Sequence, residues 1–175
     1  MKTLGLIYSR LGRGGIERGA SFQIPFFRTH GWKVVVFTSF PSSDSDYAVD
    51  ADFEHVCIEC ANAAERERIV EREVKNRKIE LVVHHDAYCL ETFLADLRGA
   101  RAGGAKFIVF WHSVFSHFLL RSGRCRETVA FWNACRQADA VITLTRVDET
   151  FFRMCGIPAV AIAYSDPETV CSMLT

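Results

Sequence analysis

Three short stretches of this chain carry residue types that can do chemistry. The first is Gly12-x-Gly14-Gly15-x-Glu17, which follows the apolar run Leu4-Gly5-Leu6-Ile7-Tyr8 and opens a helical period. Glycines allow backbone to approach a ligand with no Cβ in the way. A helix N-terminus offers unpaired N–H groups and partial positive charge, which suit phosphate. Arg10, Arg13 and Arg18 add cations at the same loop. A tight strand-to-helix turn with no ligand accounts for the same glycines. The second stretch is His84-His85-Asp86, whose imidazoles and carboxylate can hold a hydroxyl; an exposed loop pair of histidines is the alternative. The third is His112, directly after the apolar run Phe107–Trp111. A histidine there can donate to a developing charge or move a proton near neutral pH, or serve the structure only.

Two common phosphate motifs are excluded. The dinucleotide fingerprint needs a third glycine where Glu17 stands, and an acid at the end of the second strand where Thr38-Ser39 stands. A P-loop needs Gly-Lys-Ser/Thr, which does not follow. His84, His85, Asp86, His112 and His117 supply metal-ligand types, yet no His-x-x-x-His spacing occurs and Cys57-x-x-Cys60 has no second pair. No metal and no cofactor is therefore expected.

Alternating elements must position these residues. Val34-Val35-Val36-Phe37, Leu81-Val82-Val83, Phe107–Phe110, Ala140-Val141-Ile142 and Ala159–Ile162 are short continuous apolar runs, and Phe53–Ile58 is a further short strand. Such runs suit parallel strands covered on both faces. Between them, Ile16, Ala20, Ile24 and Phe27 share one helical face, with Pro25 expected to kink or divide that helix. Ala61–Arg77 reads as a charged helix with a solvated face. Leu90, Phe93, Leu94 and Leu97 form a helix stopping before Gly103-Gly104, and Thr128–Arg136 is helical. Thr145-x-x-Asp148 starts the last helix, which Gly156 and Pro158 end. The order implies an α/β fold: a parallel sheet of about six to seven strands with helices on both faces, and ligands at the carboxyl ends of the strands.

Composition narrows the function class. The chain has 175 residues, 49% apolar and 24% charged, which fits one globular domain rather than a disordered segment. Lys+Arg (21) equal Asp+Glu (21), so net charge gives no support for nucleic-acid binding. Seven cysteines without framework spacing read as reduced thiols. The short first apolar run, followed at once by Arg10 and Arg13, is no secretory signal, so a cytoplasmic location is expected.

Several segments together resemble a known family. Gly14-Gly15-Ile16-Glu17-Arg18 with Thr29-His30-Gly31-Trp32-Lys33-Val34, then Phe107–Ser113, then Ala138–Thr145 with Phe152-x-x-x-Gly156-Ile157-Pro158, resemble the N-terminal domain of the family 4 glycosyltransferases. These are retaining enzymes with two Rossmann-like domains (the GT-B arrangement). The likeness runs from residue 1 to about residue 163. It implies that residues 1–175 are a single Rossmann-like, acceptor-side domain of an enzyme that moves a sugar from a nucleotide-sugar donor to a glycan or lipid-linked acceptor. It implies donor pyrophosphate at Gly14, Gly15 and Arg13 and a catalytic His112 near the transferred sugar; a sheet whose order reverses beside its first strand brings the end of the fourth strand next to the glycine loop, so an acceptor is expected near His85, Asp86 and Ser113. The apolar and basic segment Ser113–Arg126 could touch a lipid-linked acceptor or a membrane surface, while ordinary core burial of its aromatics is the favoured reading.

The likeness ends after Ala159–Ile162. The family continues into a Pro-Asn turn and a second Rossmann-like domain, whereas this sequence reads Ala163-Tyr164-Ser165-Asp166-Pro167 and ends at Thr175. The expectation is that the C-terminal donor-binding domain is absent and that the chain alone is inactive, since transfer needs donor and acceptor held in one cleft. A donor-domain partner or a homo-oligomer would complete it. Two alternatives stay open: a non-enzymatic Rossmann-like partner or regulatory domain, and a metal-dependent hydrolase.

Overall fold

A computed structural model of the chain describes residues 1–12, 14–85, 89–112 and 125–162, the side chains of 125–128 excepted. The elements are β1 (Thr3–Tyr8), α1 (Gly15–Thr29), β2 (Lys33–Thr38), β3 (Glu54–Cys57), α2 (Ala63–Arg77), β4 (Leu81–His84), α3 (Leu90–Ala102), β5 (Lys106–Trp111), α4 (Cys125–Cys135), β6 (Ala140–Thr143), α5 (Arg146–Met154) and β7 (Ala159–Ala161). The seven strands form one sheet in the order β3-β2-β1-β4-β5-β6-β7, and every pairing is parallel. This is the single α/β domain that the alternating runs predict.

Strand order follows from burial. Every residue of β1 is buried, as are Val34 to Phe37 in β2. Leu6 lies between Val36 on one side and Val83 on the other, so β1 is the hinge of the sheet. The chain leaves β1 toward β2 and β3, then crosses back to place β4 on the opposite side. The loops after β1 and β4 therefore diverge, and a crevice opens between them.

Alternate residues feed two cores. On one face α1 buries Ala20, Ile24 and Phe27 against Leu4, Leu6, Val36 and Val83. On the other face α2, α3, α4 and α5 bury Val70, Phe93, Phe131 and Phe152 against Val35, Val82, Phe107 and Val141. Pro25 does not divide α1, which runs unbroken from Gly15 to Thr29. Its ring removes only the donor that Ser21's carbonyl would take, and Ile24 and Phe27 on either side are fully buried and hold the last turn to the sheet. The helix expected at Thr128–Arg136 starts earlier, at Cys125. At the start of α5 the Thr145 side chain accepts from the Asp148 N–H at 3.1 Å, as the capping box requires.

The α2–α3 crossing depends on one glycine. A Cβ on Gly99 would lie 2.5 Å from the Glu67 carbonyl oxygen and 2.9 Å from the Val70 Cβ. Neither neighbour is the free end of a flexible chain. Alanine is the better helix former by about 1 kcal/mol, but overpacking costs about 1–3 kcal/mol. Gly99→Ala is accordingly expected to lower the melting temperature, followed by circular dichroism. An unchanged or raised midpoint would show that the helices can part without cost.

Candidate active site: a histidine pair beside a glycine loop

The crevice is built where β1, β4 and β5 end. Strand alternation sends His84 to the α2–α3 face and His85 to the α1 face. The same alternation along β5 puts Phe110 and His112 on the α1 face and Trp111 on the other. The His85 N–H donates to the Ile7 carbonyl at 2.9 Å, which extends the ladder and fixes the residue beside β1. His85 Nδ1 then lies 2.9 Å from His112 Nε2.

Four rings form a stack under this bond. His85 lies on Tyr8, centroids 4.3 Å apart and planes 7° from parallel. On its other side is Phe110 at 5.2 Å and 22°, and His112 lies over Phe110 at 4.5 Å and 14°. Tyr8 is pinned in turn by its hydroxyl, which donates to Gln23 Oε1 of α1 at 3.2 Å. Burial pushes the His112 pKa down to about 4. Burial, with the His112 and His84 rings next, pushes His85 well below the usual histidine value. Both rings are neutral at pH 7, so one nitrogen of the 2.9 Å contact donates and the other accepts. His85 Nε2 is buried and has no hydrogen-bond partner among the described residues.

His84 plays a different part. Its Nε2 donates to Asp96 Oδ2 at 3.1 Å. Asp96, on α3, also takes both forks of the Arg66 guanidinium from α2, Nε to Oδ1 at 2.7 Å and Nη2 to Oδ2 at 3.0 Å. Arg66 Nη1 donates onward to Ser39 Oγ after β2 at 2.9 Å. All three charged or ionisable members are buried. Burial opposes the Arg66 charge, and the Asp96 carboxylate outweighs it, so the Arg66 pKa rises. This network ties the ends of β2 and β4 to two helices. It rules out the alternative of an exposed histidine pair, and it corrects the reading of the whole charge run as a solvated face, since Arg66 and Glu73 are buried.

The glycine loop forms the opposite wall. Gly14 is the N-cap of α1 in extended conformation, and its carbonyl accepts from the Arg18 N–H at 3.0 Å. The Glu17 carboxylate folds back over it: a Cβ on Gly14 would sit 2.1 Å from Glu17 Oε2. Glu17 thus sets its own carboxylate at the helix N-terminus. A cavity of about 340 Å³ lies between the loop and His85, lined by Tyr8, Ser9, Arg10, Ile16, Glu17, His85 and Cys89. A second, of about 540 Å³, runs from Gly12 and Gly14 toward Phe40 and Asp46. The Cys89 thiol lines the first; hydrogen bonds to the Thr92 side chain and N–H pull its pKa down.

Of the residues singled out from sequence, Gly14, Gly15, His85 and His112 fall at this crevice. Arg13, Asp86, Ser113 and His117, and the segment 113–124, lie outside the described residues. His84 and His85 face opposite sides of the sheet, and among the described residues no three His, Cys, Asp or Glu side chains converge as metal ligands. Nor is any described helix long and apolar enough to cross a membrane. Sequence reading missed Tyr8, Phe110, Arg66 and Asp96. The first two carried a usable signal, since Phe110 and His112 stand two apart on a strand and must share a face.

Comparison with known proteins agrees with this fold. Residues 13–164 match the model of Glycosyltransferase Family 4. No curated protein matches the chain. Among solved structures, the lipopolysaccharide outer core galactosyltransferase WaaB superimposes with a TM-score of 0.65 at 15% identity, over 93% of this chain and 45% of WaaB. Anabaena HepE, solved in complex with UDP-glucose, gives 0.65 at 12% identity over 94% of this chain and 44% of HepE. Acinetobacter baumannii MurG gives 0.55 at 14% identity, over 82% and 41%. The chain therefore spans less than half the length of each of these proteins and shares the fold of the matched part. With a family match over most of its length and this fold beneath it, the chain belongs to Glycosyltransferase Family 4.

Proposed function

We propose that this domain forms the acceptor-side half of a glycosyltransferase that moves a sugar from a nucleotide-sugar donor to a glycan or lipid-linked acceptor in a cytoplasmic setting. The single observation that carries the reading is the neutral, hydrogen-bonded His85–His112 pair facing a glycine loop across the switch point of the sheet. In this reading the first-turn N–H groups at Gly14 and Gly15, with Arg13, meet the donor diphosphate. His112 meets the transferred sugar and donates to charge developing at the reacting centre. The cavity at His85, with Asp86 and Ser113, receives the acceptor hydroxyl. HepE, whose structure holds UDP-glucose, is the precedent for a uridine nucleotide as donor.

Base and ribose recognition belong to a second lobe set against this face, and closing the cleft supplies the proximity that transfer needs. The 175-residue chain by itself offers one loop and one helix end to the donor. It should bind UDP-glucose weakly, with Kd near about 1 mM, worth about −4 kcal/mol, and catalyse no transfer. Nuclear magnetic resonance titration tests this. Shifts confined to the Gly14–Gly15 turn and the His112 ring, lost in His112→Ala at the sugar but kept with UDP alone, are the expected result. Tight binding by the isolated chain, or shifts away from the crevice, would overturn the reading.

A further inference from the structure

A serine, a histidine and a threonine are joined by hydrogen bonds at the open edge of the sheet. β3 is an edge strand, and its His55 stands in register opposite Val36 of β2. Thr38 follows on the same face of β2 as Val36, so the Thr38 and His55 side chains lie on one side of the sheet. His55 Nε2 is 2.7 Å from Thr38 Oγ1, and His55 Nδ1 is 3.1 Å from Ser42 Oγ. Thr38 is buried, His55 is half-buried, and Ser42 is exposed in the loop that follows β2.

The direction of every bond in this chain is fixed. The Thr38 hydroxyl has one hydrogen and donates it to the Phe40 carbonyl at 2.7 Å. Toward His55 it can only accept, so the hydrogen of the neutral ring sits on Nε2. Nδ1 is left as a lone pair, and the Ser42 hydroxyl donates to it. A hydroxyl bonded to a base that a third group holds in place is the signature of an activated nucleophile. Burial pushes the His55 pKa below its ordinary value, which keeps the ring neutral at pH 7. The Asp46 carboxylate acts in the opposite sense and favours the charged ring once a proton arrives. The neighbouring serines lack this arrangement. Ser43 Oγ donates to Asp46 Oδ1 at 3.0 Å, and Ser45 Oγ is bonded to Ser43 Oγ at 2.8 Å. A carboxylate is a weaker base than an imidazole by about two pKa units or more.

We propose that Ser42 is a nucleophile that takes an acyl group from an activated ester, with His55 as its general base and Thr38 as the residue that positions His55. Ser42 Oγ bonds to the acyl carbon while its hydrogen passes to His55 Nδ1. The bond from that carbon to the leaving oxygen breaks, and His55 returns the proton to it. The products are an O-acyl serine at position 42 and one alcohol. An acyl group suits the site better than a phosphoryl group. Asp44 and Asp46 stand in the same short loop, and like charge disfavours a phosphate dianion there while a neutral ester meets no such repulsion. The reaction needs no sugar donor and no second lobe, so its outcome is independent of the glycosyl-transfer reading.

Acetylation of the whole chain by p-nitrophenyl acetate provides the test. Samples are quenched in acid at short times, and acetylated residues are mapped by fragmentation mass spectrometry. Ser42 should react about 100-fold faster than Ser43 or Ser45, the size of a general-base effect. Ser42→Ala, a change in an exposed loop, should remove that acetyl group and leave the slow reaction of Ser43 and Ser45 as it was. His55→Ala should bring Ser42 down to the rate of those two serines. Thr38→Val deletes the acceptor that fixes the His55 hydrogen and should slow Ser42 about tenfold. Thr38→Ser restores the hydroxyl and should recover the rate, a rescue that a packing role for the Thr38 methyl would not give. If His55→Ala does not fold by circular dichroism, the wild-type ratio of Ser42 to Ser43 and Ser45 and the two Thr38 variants still decide. Equal acetylation of the three serines, or a Ser42 rate unchanged in folded His55→Ala, overturns the proposal.

Discussion

Asp96→Ala is expected to destabilise the domain by about 3–5 kcal/mol, the usual cost of stranding one partner of a buried ion pair. For a domain of this size that is a fall of about 10 °C in melting temperature. The reason is local. Asp96 is fully buried and takes three hydrogen bonds, two from Arg66 and one from His84. Its removal leaves a buried guanidinium at the α2–α3 interface that keeps only neutral or weakly interacting partners, the Ser39 hydroxyl and the Cys60 side chain. The sign of a second variant separates this from simple loss of packing. Asp96→Leu with Arg66→Met removes both charges and keeps the volume, and should recover most of the loss, because a buried pair contributes little beyond the desolvation it repays. Urea denaturation of the single and double variants measures both. A double variant as unstable as Asp96→Ala would mean that the network matters through its shape, not its charge. The effect also reaches the site, since His84 and His85 are neighbours at the end of β4, and the Asp96 bond holds the strand end from which His85 meets His112.

The architecture was legible because both faces of this sheet are covered. Residues such as Val34, Val35, Val36 and Phe37 all had to be apolar, and a run of that kind announces a parallel strand. Helix ends were legible where residue type fixes the cap, as at Thr145, whose side chain accepts from the Asp148 N–H, and at Gly156, whose φ of 73° glycine adopts without strain. That Pro25 does not divide α1 was not legible, because its cost depends on tertiary burial of Ile24 and Phe27, which no local pattern reports. In the site, the glycine loop and His112 could be found because each directly follows an apolar strand. The bond between His85 and His112 could not. It joins residues 27 apart in sequence, and depends on the register that sets His84 beside Val109. A shift of one residue would turn one ring to the opposite face. The Arg66–Asp96 pair was hidden for a related reason. Arg66 sits in a run of charges whose other members are mostly exposed, and Asp96 lies between Phe93 and Leu97 on a helix that looks apolar on that side. Only the close α2–α3 crossing turns that arginine and that aspartate inward toward each other.

Acid should weaken the fold well before the carboxylates protonate, because the histidine pair is held neutral. In the unfolded chain a histidine charges near pH 6.5. In the folded protein His112 charges only near pH 4, and His85 is likewise held well below 6.5, both chiefly by burial. Between these limits the unfolded state binds protons that the native state refuses. Stability therefore rises with pH across the window and is lost as pH falls from 6.5 toward 4. The drop in the His112 pKa from 6.5 to about 4 corresponds to about 3 kcal/mol at the bottom of the window. His85 adds to it in the same direction, as does His55, whose pKa burial also lowers. Glu54 acts in a separate range. Lys33 and Arg77 hold its carboxyl below its ordinary value of 4.5, so its contribution is lost only in stronger acid. The urea midpoint, measured from pH 7.5 down to pH 4.5, should fall steadily below pH 6.5. Replacing both rings, His85→Phe with His112→Phe, should flatten the curve over that window, while His55→Gln should leave most of the slope in place. A wild-type midpoint that does not change between pH 7 and pH 5 would mean that the paired rings already take up a proton in the folded state. The neutral dyad would then be replaced by an imidazolium bonded to an imidazole, and His112 would face any bound diphosphate as a cation.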